Sequence, residues 1–228
     1  NHPVQLPDAS ILMLGHRDHR LIFEAVPDLQ GATALQIEGL LHGDLFMNGP
    51  GRDGPWGIGE ITVEVRPPGA DAWQEVKLAA ASADFSAAEK KEPRANNDGA
   101  VFTQAKIEER KLSPEMSIGP VANLIDGDKS SSWYPDRGHL RRHQPSAAVV
   151  RFEKPLDHPP GTRLRLTVWK MPGVVNEPGG NMPGCLRFGL AKAAEPAAAP
   201  VDHAAILAIR TPAADIEPAV REAAAFGV

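Results

Sequence analysis

Proline and glycine constrain this chain most: 22 Pro and 21 Gly are spread over its 228 residues. Proline breaks helix interiors and removes a backbone donor. The pattern therefore suits short strands joined by many turns better than a helical bundle. Between these breaks apolar and polar residues alternate. In GEITVEV, Ile61, Val63 and Val65 point one way while Thr62 and Glu64 point the other. In TRLRLTVW, Leu164, Leu166 and Val168 alternate with Arg163, Arg165 and Thr167. The same period runs through Leu35 and Ile37, through Ala148, Val150 and Phe152, and through Leu186, Phe188 and Leu190. Short apolar runs at Ile11–Leu14 and Leu21–Ala25, on either side of the polar GHRDHR, read as two strands about a turn, and Glu75–Leu78 as a shorter one. Residues 82–112 have neither period and read as a long polar excursion. Two groups of antiparallel strands with long connections predict an all-β fold, an antiparallel jelly-roll β-sandwich.

The pattern ends near Leu190. Ala191–Pro200 collapses to Ala, Pro, Lys and Glu, a linker composition, and the Ala-rich HAAILAI and EPAVREAAAF beyond it read as helical. The expected organisation is a sandwich over residues 1–190, then a linker and helical lead-in to a further C-terminal domain over 191–228. The opening NHPVQLPD carries no methionine and reads as the start of an excised piece, with any export signal upstream.

Hydrophobic content of 42% can fill a core without disulfides. The lone Cys185 rules out a disulfide framework, a zinc finger and a CxxC site. No stretch approaches the roughly 20 apolar residues of a membrane span. A net charge of −5 argues against a nucleic-acid partner.

Three segments resemble a known family. ALQIEGLL followed by GPGRDGPWGIGEITVEV resembles the RLE-L, GPGR, GNFVLSE-EV block of large planctomycete cytochrome-type proteins of unknown function. NLIDGDKSSSW resembles the IDG-to-Trp turn of that block and of discoidin and coagulation-factor type C domains. The stretch 202–228 is similar to the tail that joins this module to the family's C-terminal domain. The chain departs by Pro55-Trp56-Gly57 in place of a Gly-Asn-Phe-like stretch, and by a longer excursion between Ser82 and Pro120. The resemblance implies a galactose-binding-like sandwich between other domains of an exported, extracytoplasmic protein, periplasmic or at the cell surface. Such domains commonly hold carbohydrate at loops on one end, and often a structural calcium. The haem motif CxxCH is absent, so no haem is expected in this fragment.

Asp126, Asp128 and Ser131 lie within six residues on a glycine-containing loop, the close oxygen spacing that Ca²⁺ requires. By the resemblance Glu60 closes such a site. The competing reading is an Asp-Gly turn in which Asp126 bonds its own backbone. Tyr134 and the acid-free run Arg137, His139, Arg141, Arg142 and His143 combine an aromatic face with guanidinium forks, suited to an acidic or sulfated glycan, or else form a solvated loop. Trp133 reads as core. Trp56 beside Arg52 reads equally as a stacking platform or as a plug in the end of the sandwich; Trp73 reads as packing over a hairpin.

The eight histidines show no zincin spacing, and Gly138 with Pro135 and Pro145 argues against a helix that would align His139 with His143. GxSxG, the P-loop and GxGxxG in a βαβ setting are missing. Counting leaves a paired-carboxylate glycosidase open, but 5% aromatics is few for a sugar-lined sheet. The expected function is a non-catalytic carbohydrate-binding module of a larger exported multidomain protein, for acidic or sulfated polysaccharide. The alternative is a structural spacer that packs on neighbouring domains of its own chain.

Overall fold

The computed structural model describes residues 2–14, 20–52, 54–93, 105, 108, 115–138, 143–171 and 182–199. The chain divides into two units, 1–198 and 199–228. The expected helical tail lies outside the described residues.

The first unit is all-β, with two sheets. One has the order β1 (His2–Gln5), β2 (Ile11–Leu14), β13 (Cys185–Ala191), β4 (Ala32–Gly39), β11 (Ser146–Leu156), β7 (Leu78–Ala83). The other runs β3 (Arg20–Ala25), β12 (Arg163–Lys170), β5 (Ile58–Arg66), β10 (Ser132–Trp133), β9 (Glu115–Gly119), β8 (Lys90–Pro93), and β6 (Gln74–Val76) also pairs with β5. We call these sheet A and sheet B.

The alternation read from the sequence becomes burial. Ile61, Val63 and Val65 of β5 and Leu164, Leu166 and Val168 of β12 are buried in one core with Leu35, Ile37, Val150, Phe152 and Leu186 of sheet A. This gives a sandwich-like pair of sheets sharing one apolar interior.

Three features differ from the sequence reading. Ile11–Leu14 and Arg20–Ala25 do not pair with each other: β2 joins sheet A and β3 sheet B. The short strand expected at Glu75–Leu78 is two strands, with Lys77 the hinge at which the chain passes from β6 in sheet B to β7 in sheet A. The sheets are not purely antiparallel, because β10 runs parallel to β9. A parallel pair needs a crossover, and the 3₁₀ turn Val121–Leu124 with the IDGDKS loop supplies it. The polar excursion also contributes β8 and β9, paired from Lys90↔Ile118 to Pro93↔Glu115.

Two tryptophans fill one end of the interior. Trp56 and Trp133 are 1% and 0% exposed and meet edge to face, ring centroids 5.5 Å apart. The Trp133 indole N–H donates to the Phe85 carbonyl at 3.0 Å. Trp56 lies so close over Gly39 that a Cβ there would overlap its six-membered ring. The Gly/Pro-rich loop before β5 therefore carries an aromatic plug into the core.

Candidate functional site

Beside β5 there is a gap in sheet B. On that edge Ile58 pairs with Trp133 of β10, and pairing resumes only at Val63 with β6. The loop 125–131 folds against the gap. Asp126 Oδ1 accepts the Asp128 N–H at 2.8 Å, and Asp128 Oδ1 accepts the Ser130 N–H at 2.9 Å, two successive Asx turns. Gly127, at φ 80°, turns its N–H onto Glu60 Oε2 at 2.9 Å.

Glu60 is 4% exposed. Burial raises its carboxyl from the ordinary 4.5 to about 8, the Gly127 N–H opposes the rise, and the Asp126 carboxylate, within hydrogen-bonding reach, adds to it. At neutral pH Glu60 is thus favoured in its protonated form. The adjoining cavity is about 270 Å³. Ile61, Val63, Val76 and Leu78 supply apolar lining, and Glu60, Thr62, Glu75, Lys77 and Lys129 supply polar groups.

Of the four oxygen ligands expected for calcium, Glu60 and Asp126 meet. Ser131 Oγ instead donates to the Asp128 carbonyl at 2.9 Å and to the Asn123 carbonyl at 3.3 Å. Asp128 serves the turn at Ser130, and among the described residues no group of three or more Asp, Glu, His or Cys converges as a metal site. Two carboxylates are fewer than the roughly six to eight oxygen ligands Ca²⁺ takes, and among the described residues no third acidic side chain joins them.

The residues expected to meet carbohydrate have varied placements. Trp56 faces the core. Arg52 is half-buried and its Nε donates to the Met13 carbonyl at 2.6 Å. Tyr134 is half-buried, its N–H donating to the Gly119 carbonyl at 3.3 Å. The Arg137 side chain is 3% exposed, pairs with Asp84 at 2.9 Å and lies over the Phe85 ring at 4.9 Å. It is an internal brace, because Asp84 also accepts from Ser146 Oγ at 2.6 Å. His143 is half-buried, its ring tilted against Phe46 at 5.5 Å. His139, Arg141 and Arg142 lie outside the described residues.

Sequence reasoning missed Asn123 and Asp84. Buried Asn123 donates from Nδ2 to Ser117 Oγ and to the carbonyls of Ser117 and Ser132, and so ties β9 to β10. Its polarity gave no sign of burial. It missed the loop tip as well, where Leu41, Phe46 and Met47 are 54%, 48% and 69% exposed and Met47 and Asn48 adopt φ 50° and 56°. Non-glycine residues rarely hold such angles outside functional or over-determined turns.

No protein-family model matches the chain, and neither the curated proteins nor the solved structures include a match.

Proposed function

We propose that this chain is a non-catalytic carbohydrate-binding module of a larger exported multidomain protein, resident outside the cytoplasm, that takes acidic or sulfated polysaccharide. With this reading goes the finer assignment of the sheets as a galactose-binding-like jelly roll spanning 1–190, with 191–228 leading to another domain.

The observation that carries it is the cavity beside β5. The half-buried Leu78 and Ile125 in its wall suit the C–H face of a sugar ring, and its rim of Lys77, Lys129, Glu75 and Thr62 suits hydroxyl and acid groups. Its volume is near the lower end of ligand pockets, about 300 Å³, enough for one saccharide unit. Glu60 and Asp126 in hydrogen-bonding reach are nearer than the roughly 5 Å a glycosidase needs between its carboxyls. That spacing favours binding over hydrolysis, and the same pair is where Ca²⁺ would sit.

A second reading, the spacer, draws on a different observation. A groove of about 770 Å³ lies between the β2 and β3 edges, lined by Ile11, Met13, Leu21, Phe23 and Phe188, and Val4 and Ile22 are each 50% exposed. Such apolar surface suits a neighbouring domain of the parent chain.

A glycan array of the folded chain, run with calcium and again with chelator, separates the two. Retention of one acidic glycan class supports the module, and loss on chelation places the ion in its support. Silence across a broad panel that includes sulfated polysaccharides refutes the module and leaves the spacer.

A further inference from the structure

The outer face of sheet B concentrates cations around two tryptophans. Cross-strand register puts Glu24, Arg165 and Glu64 in one row, and sets Arg163 directly opposite Arg66. Trp73, beyond the end of β5, lies within this group. Arg165 stands 3.8 Å from its ring centroid, Arg66 4.8 Å and Arg163 5.8 Å. Further along the same face of β12, Trp169 takes Lys129 at 4.1 Å and Arg20 at 5.4 Å. From Arg165 to Trp169 is four residues of strand, about 13 Å.

Charge across this face is unbalanced. Glu24 accepts from both Arg163 and Arg165, and Glu64 lies 3.7 Å from Arg165. Glu75, opposite Glu64, is paired off by Lys77 at 2.9 Å. Among the described residues Arg20 and Lys129 make no ion pair, and Arg66 shares the charge of Glu24 with Arg163 and Arg165. Five cations thus meet two carboxylates, on a chain whose net charge is −5. Like charges directly opposed across strands are destabilising, yet Arg66 and Arg163 are so placed, offset in part by Glu24 and by the Trp73 ring. Glu24 already accepts from Arg163 and Arg165, and a guanidinium held against an indole presents its remaining N–H groups in a fixed orientation, suited to the oxygens of a carboxylate or sulfate.

We infer that the Trp73 and Trp169 clusters are two stations of one surface, on which Arg66, Arg163, Arg165, Arg20 and Lys129 bind sulfate or carboxylate groups spaced along an acidic polysaccharide. This rests on the polysaccharide reading above and names the anion-binding part of it. Two stations about 13 Å apart suit a polymer with sparse charges. Duplex nucleic acid carries a charge every ~1.7 Å and needs a continuous basic track, whereas on this face the described cations gather in two separate clusters.

The test measures binding of the full 228-residue chain to heparin, polygalacturonate, neutral dextran and duplex DNA by calorimetry. The variants are Arg66→Ala with Arg163→Ala, and Arg151→Ala on sheet A as the control for loss of a surface charge. The inference expects an anionic polysaccharide to bind and the double variant to weaken it at least tenfold, with less than a twofold change for Arg151→Ala. It also expects Arg66→Ala alone to change the melting temperature little, because relief of the repulsion with Arg163 offsets the lost contact with Trp73; a large fall would mark a structural arginine and count against the site. Tight glycan binding indifferent to the double variant overturns the surface and spares the module. Binding to no polysaccharide overturns both. Preference for DNA through the same arginines overturns the ligand class.

Discussion

Glu60 is the residue whose chemistry departs most from its type. A carboxyl held neutral by burial is stable while both folded and unfolded chains keep the proton. Above the ordinary 4.5 the unfolded chain releases it while the folded chain keeps it up to about 8, so folding loses stability as pH rises through that window. The expected loss is roughly 1–3 kcal/mol after allowing for solvent at the cavity. Glu60→Gln removes the titration and keeps the shape, so its denaturation midpoint should stay level from pH 5 to 8 while the parent's declines. Equal slopes for the two proteins would mean Glu60 ionises normally. Calcium should act in the opposite sense, favouring the doubly ionised pair, and should raise the parent's stability most at high pH. Glu60 and Asp126 were legible as neighbours only through the resemblance; nothing in GEITVEV marks Glu60, rather than Glu64, as the buried glutamate. Arg137 shows the converse, since a loop arginine between Asp136 and Gly138 looked solvated and is almost wholly enclosed with Asp84.

At the scale of elements, the strands with clean alternation were readable: β4, β5, β11, β12 and β13 each bury one face against a shared core. The elements that period could not reveal are β8, β9 and β10, which are short or polar and exist because neighbours complete their hydrogen bonds. Asn123 is the clearest case. Its amide adds a side-chain tie to the short parallel pairing of β9 with β10. Asn123→Ala should cost about 2–3 kcal/mol, because it strands buried carbonyls rather than just deleting a contact. Hydrogen exchange should then rise first at Ser117 and Ser132. Uniform loss of protection across both sheets would instead give Asn123 no local role.

For the whole molecule, the chain passes from one sheet to the other at eight of the twelve connections between its strands, and β4, near the start, lies between β11 and β13, near the end. Neither sheet can be completed until the last strands arrive. The two sheets should therefore unfold in one transition, with near- and far-ultraviolet circular dichroism coincident in denaturant, and folding should be slow, in the ms–s range of non-local β topologies. Separate transitions would show that the common core does not couple the sheets. The stretch after β13 takes part in the first unit as well: the Thr33 hydroxyl donates to the Ala193 carbonyl at 2.6 Å, and the Ala198 N–H donates to Ser82 Oγ at 2.9 Å.

Period 2, proline and glycine were enough to determine that this chain is β-structured, where its strong strands lie and which side chains face inward, because alternation and turn chemistry are local properties. Which sheet each strand joins, the parallel β9–β10 pair and the burial of Trp56, Arg137 and Glu60 were decided by tertiary structure. So was the gathering of Trp73 with Arg66, Arg163 and Arg165, since cross-strand register joins residues that nearly a hundred positions of sequence keep apart.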